Sequence, residues 1–182
     1  FIIILGLESA RQAVASLKKG RRIEELEQFA LNDSMTGFYN RNAYDYFIYN
    51  EKNIKNYMVV TFDLNNLKMC NDNYGHSSGD AYIIHSAHII ETTFDRFGKC
   101  YRIGGDEFCC LIPDAAEFQI ERFIQKMQQD IAILNNKNII PTEVGIACGY
   151  TLATPDDADI EKVRERADEM MYHNKKVLKG LI

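Results

Sequence analysis

Apolar residues recur every three or four positions over several long stretches and run almost unbroken over a few short ones, which predicts helices packed on a sheet. Between residues 7 and 30, Leu7, Ala10, Val14 and Leu17, then Ile23, Leu26 and Ala30, stand at helical spacing with no proline. The two stripes fall out of phase over Lys18 to Arg22, beside Gly20, as at a stutter or kink in a connecting helix. Such a helix either packs on the surface of its own domain or serves dimerisation and signal relay. Two or three heptads are too few to claim a coiled coil.

Asn32-Asp33-Ser34 interrupts the pattern, and Thr36-Gly37 supplies turn chemistry ahead of a second helix from about Arg41 to Lys52. Tyr57 to Leu64, rich in β-branched and aromatic residues, predicts a buried strand ending at Asp63. From Ser77 a long helix carries Ile83, Ala87, Ile90 and Phe94 on one stripe, and Lys99 to Ile103 and Glu107 to Ile112 form a hairpin around Gly104-Gly105. Asp114 with Glu117 has the capping-box spacing for a helix that buries Ile120, Phe123, Met127, Ile131 and Leu134. Thr142 to Leu152 reads as a strand, and Asp159 caps a last helix with Ile160, Val163, Ala167 and Met170 or Met171 inside. The order is helix, strand, helices, hairpin, helix, strand, helix: a central sheet with helices packed over it, without internal repeats.

Composition narrows the function classes. The chain has 182 residues, 46% hydrophobic and 26% charged, with 3 Pro and 11 Gly, which fits one globular domain and excludes a long disordered protein. A chain of this size stabilises itself without disulfides or structural metal. A net charge of -5 is the wrong sign for a generic phosphate-backbone binder, so no nucleic-acid partner is expected and any phosphate binding must be local. Cys70, Cys100, Cys109, Cys110 and Cys148 form no CxxC pair and no zinc ladder; they read as reduced, mostly buried thiols of a cytoplasmic protein. The chain starts at Phe1 and reads as a fragment or processed product. Its apolar first seven residues are too short to span a bilayer, and the sequence leaves open a parent protein with an upstream sensor or membrane segment.

Two acidic segments carry candidate chemistry. In Asp63-Leu-Asn65 the two polar side chains of an extended chain share one side, and the Leu64 carbonyl is an available oxygen ligand. In Gly104-Gly-Asp-Glu107 the glycines allow a tight positive-φ turn and close ligand approach, beside the hard oxygen donors of Asp106 and Glu107. With the hairpin beside the first strand, Asp63 and Asp106 converge into an incomplete magnesium site that nucleotide phosphates complete. Taken singly, each segment reads first as a solvated acidic turn; only together do they point to a metal. His76, His85, His88 and His173 do not form a ligand set, and His76 is read as structural within the Gly75-His76 turn.

Between these segments the residues become specific. Asp63-Leu-Asn-Asn-Leu-Lys68, Asn71-Asp72, Gly75-His76, Gly79-Asp80 and Arg102-Ile-Gly-Gly-Asp-Glu-Phe108 resemble, in order, the signature of the GGDEF family of diguanylate cyclases. The opening Asp33-Ser-Met-Thr-Gly-Phe-Tyr-Asn-Arg41 and the closing Ala167-Asp168 with Tyr172 and Lys175 match as well, and the resemblance covers about residues 31 to 179. It implies an α/β (α+β) fold, a ferredoxin-like central sheet flanked by helices and related to the nucleotidyl cyclase core. Residues 1-30 would be a linker or signalling helix and 31-182 the catalytic domain. It also implies condensation of two GTP molecules into cyclic di-GMP, with release of two pyrophosphates, in a magnesium-dependent homodimer, manganese being the substitute ion.

Residue by residue, the resemblance makes Asp63, Asp106, Glu107 and the Leu64 carbonyl metal ligands, with Asp106, Glu107 and Lys68 taking part in catalysis. Gly104 and Gly105 would border the substrate. Asn71 and Asp80 occupy the guanine-reading positions, a carboxylate being suited to accept from the base edge and an amide to both donate and accept. Ser77 and Asp80 also have capping-box spacing, which gives the acid a second explanation. Lys68 would sit near the triphosphate, and Lys175 and Lys179 would reach its outer phosphates. The family usually carries Gly-Arg where this chain has Leu178-Lys179, and lysine cannot form a bidentate fork. The family's RxxD product-inhibition site falls on Asp95-Arg-Phe-Gly98, where both recognition residues are missing; Arg96, one residue out of register, would point about 100 degrees away on a helix. The competing readings are a noncatalytic GTP or cyclic di-GMP receptor and a structural dimerisation module.

Overall fold

The computed structural model describes residues 14, 16–19, 22, 29–51, 53–117, 119–178 and 180. Residues 16–19 and 29–31 are helical, and most of the helix expected over 7–30 lies outside the described residues. The elements that follow are α1 (Arg41–Asn50), β1 (Met58–Leu64), α2 (Leu67–Tyr74), α3 (His76–Phe94), β2 (Lys99–Arg102), β3 (Glu107–Ile112), α4 (Ile120–Asn136), β4 (Ile146–Leu152) and α5 (Ile160–Leu178). The strands form one sheet in the order β2-β3-β1-β4, every neighbouring pair antiparallel. This is the ferredoxin-like arrangement expected.

Strand alternation explains how helices cover both faces. Met58, Val60, Phe62 and Leu64 of β1 join a core with Ile83, Ile90 and Phe94 of α3 and Ile120 and Met127 of α4. Val59 points the other way, into a smaller cluster with Tyr44 of α1 and Ile160, Val163 and Ala167 of α5. Buried on both sides, β1 is the apolar run that its composition predicted. All five cysteines are free and buried, also as expected.

Two glycines set the packing distances. A Cβ at Gly149 of β4 would fall 2.2 Å from both the Ala167 carbonyl oxygen and the Met171 nitrogen, so α5 lies with its backbone directly on the sheet. A Cβ at Gly98 would fall 2.2 Å from the Leu111 carbonyl oxygen, which fixes the turn into β2 against β3. The outer strands are partly covered. Tyr39 donates to the Cys100 carbonyl at 3.2 Å and accepts from the Arg102 N–H at 2.8 Å along β2, and Asn174 Oδ1 accepts the outward N–H of Cys148 on β4 at 3.1 Å.

Several expected boundaries shift, each for a physical reason. Helix α1 starts at Arg41 as expected, capped by Asn40, whose side chain accepts from the Ala43 N–H at 3.1 Å, but it ends at Asn50, short of the expected Lys52. Asp114 takes a left-handed φ of 50° and a 3-10 turn, Ala115–Glu117, follows, so α4 opens at Ile120 with Gln119 before it, later than the Asp114-Glu117 spacing predicts. The ladder of β4 starts at Ile146, not Thr142, because Asn135 of α4 takes both the N–H and the carbonyl of Val144 at 2.8 and 2.9 Å. Helix α3 starts at His76 after Gly75, which takes a φ of 83°; Ser77 is therefore inside the helix and caps nothing, and His76 is its first residue rather than part of a turn. The cap expected at Asp159 is present, with its side chain accepting the Lys162 N–H at 3.1 Å. Arg96 lies beyond the end of α3, its guanidinium 4.6 Å over the Phe97 ring, and not on a helix. Among the described residues no helix is long and apolar enough to cross a membrane.

Candidate active site

The end of β1 and the β2–β3 turn meet at one rim of the sheet. Their register sets Asp63 opposite Glu107, and the Leu64 N–H donates to the Asp106 carbonyl at 3.1 Å. The two acidic segments, far apart in sequence, are thus brought together. Within the turn, the Ile103 and Gly104 N–H groups both donate to the Glu107 carbonyl, at 2.9 and 3.3 Å. The expected positive φ is absent: neither Gly104 nor Gly105 is left-handed. Their use is spatial instead. A Cβ at Gly104 would press on Glu107 Oε2 at 3.2 Å, while the space beside Gly105 is open.

Asp63 is 8% exposed, and a carboxylate so enclosed needs a counter-charge. Lys175 supplies it, its Nζ donating to Asp63 Oδ1 at 2.5 Å. The close seating of α5 on Gly149 brings this lysine over the rim, within reach of the strand's last acid. Among the described residues no three His, Cys, Asp or Glu side chains gather closely enough to hold a metal by themselves. The donors at the rim are nevertheless hard oxygens, and a cationic group already rests on one of them, so the set fits a magnesium ion whose remaining ligands come from phosphate and water.

A second cluster braces the turn. Arg102 Nη2 donates to the Gly105 carbonyl at 2.8 Å, and its Nη1 donates to both oxygens of Asp33 at 3.0 and 3.2 Å. Asp33 Oδ1 also accepts from the N–H and hydroxyl of Thr36, at 2.9 and 2.7 Å. Burial pulls the Asp33 carboxyl upward, but these hydrogen bonds outweigh it and hold the group below its ordinary value. Sequence reading placed Asp33 and Arg102 in motifs without giving either a role; the arginine next to a glycine-rich turn was the available signal.

Asn71 and Asp80 sit on the α2–α3 corner. Asn71 is half-buried, and its amide lies against Gly79, so the side chain stands beside the residue preceding Asp80. Asp80 and Lys68 are exposed, and Lys68 shares a face of α2 with Asn71 at i,i+3 spacing. Lys179 lies outside the described residues. In the closing motif, burial raises the carboxyl of Asp168 while Arg164 donates to it at 2.7 Å, and Tyr172 is exposed with the Lys176 ammonium 4.4 Å over its ring. Behind the rim a cleft of about 450 Å³ opens between α4 and the end of α5, bordered by Asn65, Asn66, Glu143 and Leu178.

Comparison with known proteins bears on the family and the fold. The family model described as diguanylate cyclase, GGDEF domain, matches residues 30–179. Diguanylate cyclase DgcN of Escherichia coli (strain K12) is 30% identical over 157 residues, 83% of this chain and 38% of DgcN. Diguanylate cyclase DgcS of Shewanella oneidensis is 26% identical over 168 residues, 87% of this chain and 54% of DgcS. The chain thus spans about half of these relatives' length or less. The coiled coil and GGDEF domain of DgcB from Caulobacter crescentus, solved in complex with c-di-GMP, superposes with a TM-score of 0.77 at 22% identity, covering 92% of this chain and 94% of that one. Diguanylate cyclase SiaD from Pseudomonas aeruginosa, solved with its activator SiaC, gives 0.70 at 21% identity over 93% of this chain and 68% of SiaD. At these identities the structures speak for the fold.

Proposed function

Because the chain belongs to the GGDEF domain family, we propose that it is a diguanylate cyclase, joining two GTP molecules into cyclic di-GMP and releasing two pyrophosphates. The observation that carries the reading is the meeting of the Asp63 and Asp106-Glu107 segments at one rim, with the Lys175 ammonium on Asp63. Such a rim combines oxygen donors for a metal–triphosphate complex with a cation for its outer phosphates. Magnesium, when bound, would stabilise charge on the attacked α-phosphate and lower the pKa of the attacking hydroxyl.

The chain's own residues divide the remaining tasks. Asp63, Asp106, Glu107 and the Leu64 carbonyl hold the metal–nucleotide complex. Lys68 and Lys175 offset charge on the phosphates, a task the family resemblance also gives to Lys179, and the open face of Gly105 admits the nucleotide. Asn71 and Asp80 present an amide and a carboxylate to the guanine edge. One domain holds one GTP, so the in-line attack of a ribose 3'-OH on the other nucleotide requires two copies face to face. No product feedback operates through the 95–98 segment, where a side chain at position 98 would collide with the Leu111 carbonyl. The longer parent protein supplies the regulatory input.

The test is incubation of the purified protein with GTP and magnesium, measuring cyclic di-GMP and pyrophosphate. Two pyrophosphates per cyclic product, with turnover lost in Asp63→Asn, support the proposal. Tight binding of a nonhydrolysable GTP analogue without turnover, at concentrations where the protein is dimeric, replaces it with a receptor function.

A further inference from the structure

Gly79 stands in the first turn of α3 with ordinary helical geometry, where glycine is less favourable than alanine. No positive φ calls for it. The reason lies in its neighbour: a Cβ at Gly79 would fall 1.9 Å from Asn71 Oδ1, 2.7 Å from its Cγ and 3.1 Å from its Nδ2. The amide of Asn71 therefore occupies the volume that any other residue at 79 would fill.

The surrounding backbone makes this contact specific. Gly75 reverses the chain between α2 and α3 with a φ of 83°, its N–H donating to the Asn71 carbonyl at 2.9 Å, while the Gly79 N–H donates to the Gly75 carbonyl at 3.3 Å. Both backbones at the corner are thus tied, whereas the Asn71 amide is the free end of a flexible side chain. A methyl group at 79 meets something that can swing away at little cost to the fold.

We infer that Gly79 is a positioning residue for base recognition: it seats the Asn71 amide beside Asp80 so that the pair reads guanine together. The inference rests on the proposed GTP site. Substituting alanine improves local helix propensity while displacing the amide, so stability and base recognition change in opposite senses. A glycine kept only for packing gives the opposite result, since crowding lowers stability and leaves the nucleotide contact alone.

The experiment measures calorimetric affinity for nonhydrolysable guanosine and adenosine triphosphate analogues, with magnesium, for wild type, Gly79→Ala, Asn71→Ala and the double variant, alongside thermal midpoints. The expected result is a loss of about tenfold in guanosine-analogue affinity for Gly79→Ala, as for one displaced hydrogen-bonding group, with a reduced guanosine-over-adenosine ratio and an unlowered midpoint. The double variant binds no more weakly than Asn71→Ala alone, because the displaced group is already gone. It also removes the collision, and so reports even if Gly79→Ala folds poorly. Wild-type affinity and selectivity in Gly79→Ala, or fully additive losses in the double variant, overturn the inference and leave the GTP site standing. Failure of the wild type to bind the guanosine analogue overturns both.

Discussion

Lys175 and Asp63 lie 112 positions apart and meet at 2.5 Å, the last helix neutralising the last acid of the central strand. Asp63 is nearly enclosed, so the pair is a structural contact as well as a reserve of positive charge beside the expected phosphates. Lys175→Gln is expected to lower kcat/KM for cyclic di-GMP formation by about 10²-fold, the scale for removing one transition-state charge donor. Because it also releases Asp63 from its counter-ion, the same variant should bind manganese alone, without nucleotide, more tightly than wild type. Unchanged manganese affinity by calorimetry would show that lysine and metal do not compete for this carboxylate.

Arg102 joins Asp33 to the acidic turn, and Asp33→Asn should cost about 1.5–3 kcal/mol, the range for a hydrogen bond to a charged group. The sign of its pH dependence follows from the lowered carboxyl. The contribution of ionised Asp33 is complete above the ordinary carboxylate value of 3.8 and disappears as pH falls through the lower native value. Chemical denaturation at pH 7 should therefore separate wild type from Asp33→Asn, and the gap should close in strong acid.

Gly149 holds α5 on the sheet with no room for a methyl group. Gly149→Ala is expected to lose about 1–3 kcal/mol by overpacking, because the colliding atoms belong to the helix backbone and cannot rotate away. A thermal melt reads the loss directly. A midpoint equal to wild type would mean that α5 can lift from β4.

Product titration tests the altered inhibition segment. Wild type should show no tight, noncompetitive inhibition by cyclic di-GMP, and Arg96→Ala should not change its product sensitivity. Gly98→Asp should not create such inhibition and should destabilise the chain, since the side chain meets the Leu111 carbonyl.

Much of this architecture was readable from the chain itself. The apolar run of β1, the seven-residue spacing of Ile120, Met127 and Leu134, the cap at Asp159 and the break at Asn32-Asp33-Ser34 gave elements and order because each depends on local periodicity or hydrogen bonding. Motif order suggested that Asp63 and the Gly104–Glu107 turn converge, and the β1–β3 register brings them together. What escaped were side-chain contacts that depend on how elements and turns come together. Nothing local indicates that Asn135 will take the backbone of Val144 and delay β4, that Arg102 will bridge Asp33 and Gly105, or that Gly79 faces the amide of Asn71. Capping-box spacings at Asp114 and Ser77 misled because left-handed or turn backbone at Asp114 and Gly75 moved the helix starts away from them.

The coverings at Tyr39 and Asn174 bear on behaviour at high concentration. Outermost strands normally display rows of unused amides and carbonyls on which a foreign strand can grow, the first step toward filaments. Here Tyr39 already uses the Cys100 carbonyl and Arg102 amide on one flank, and a side-chain amide already holds Cys148 on the other. A visiting strand would have to break those bonds before pairing at these positions, so growth by sheet extension carries an added cost at both flanks.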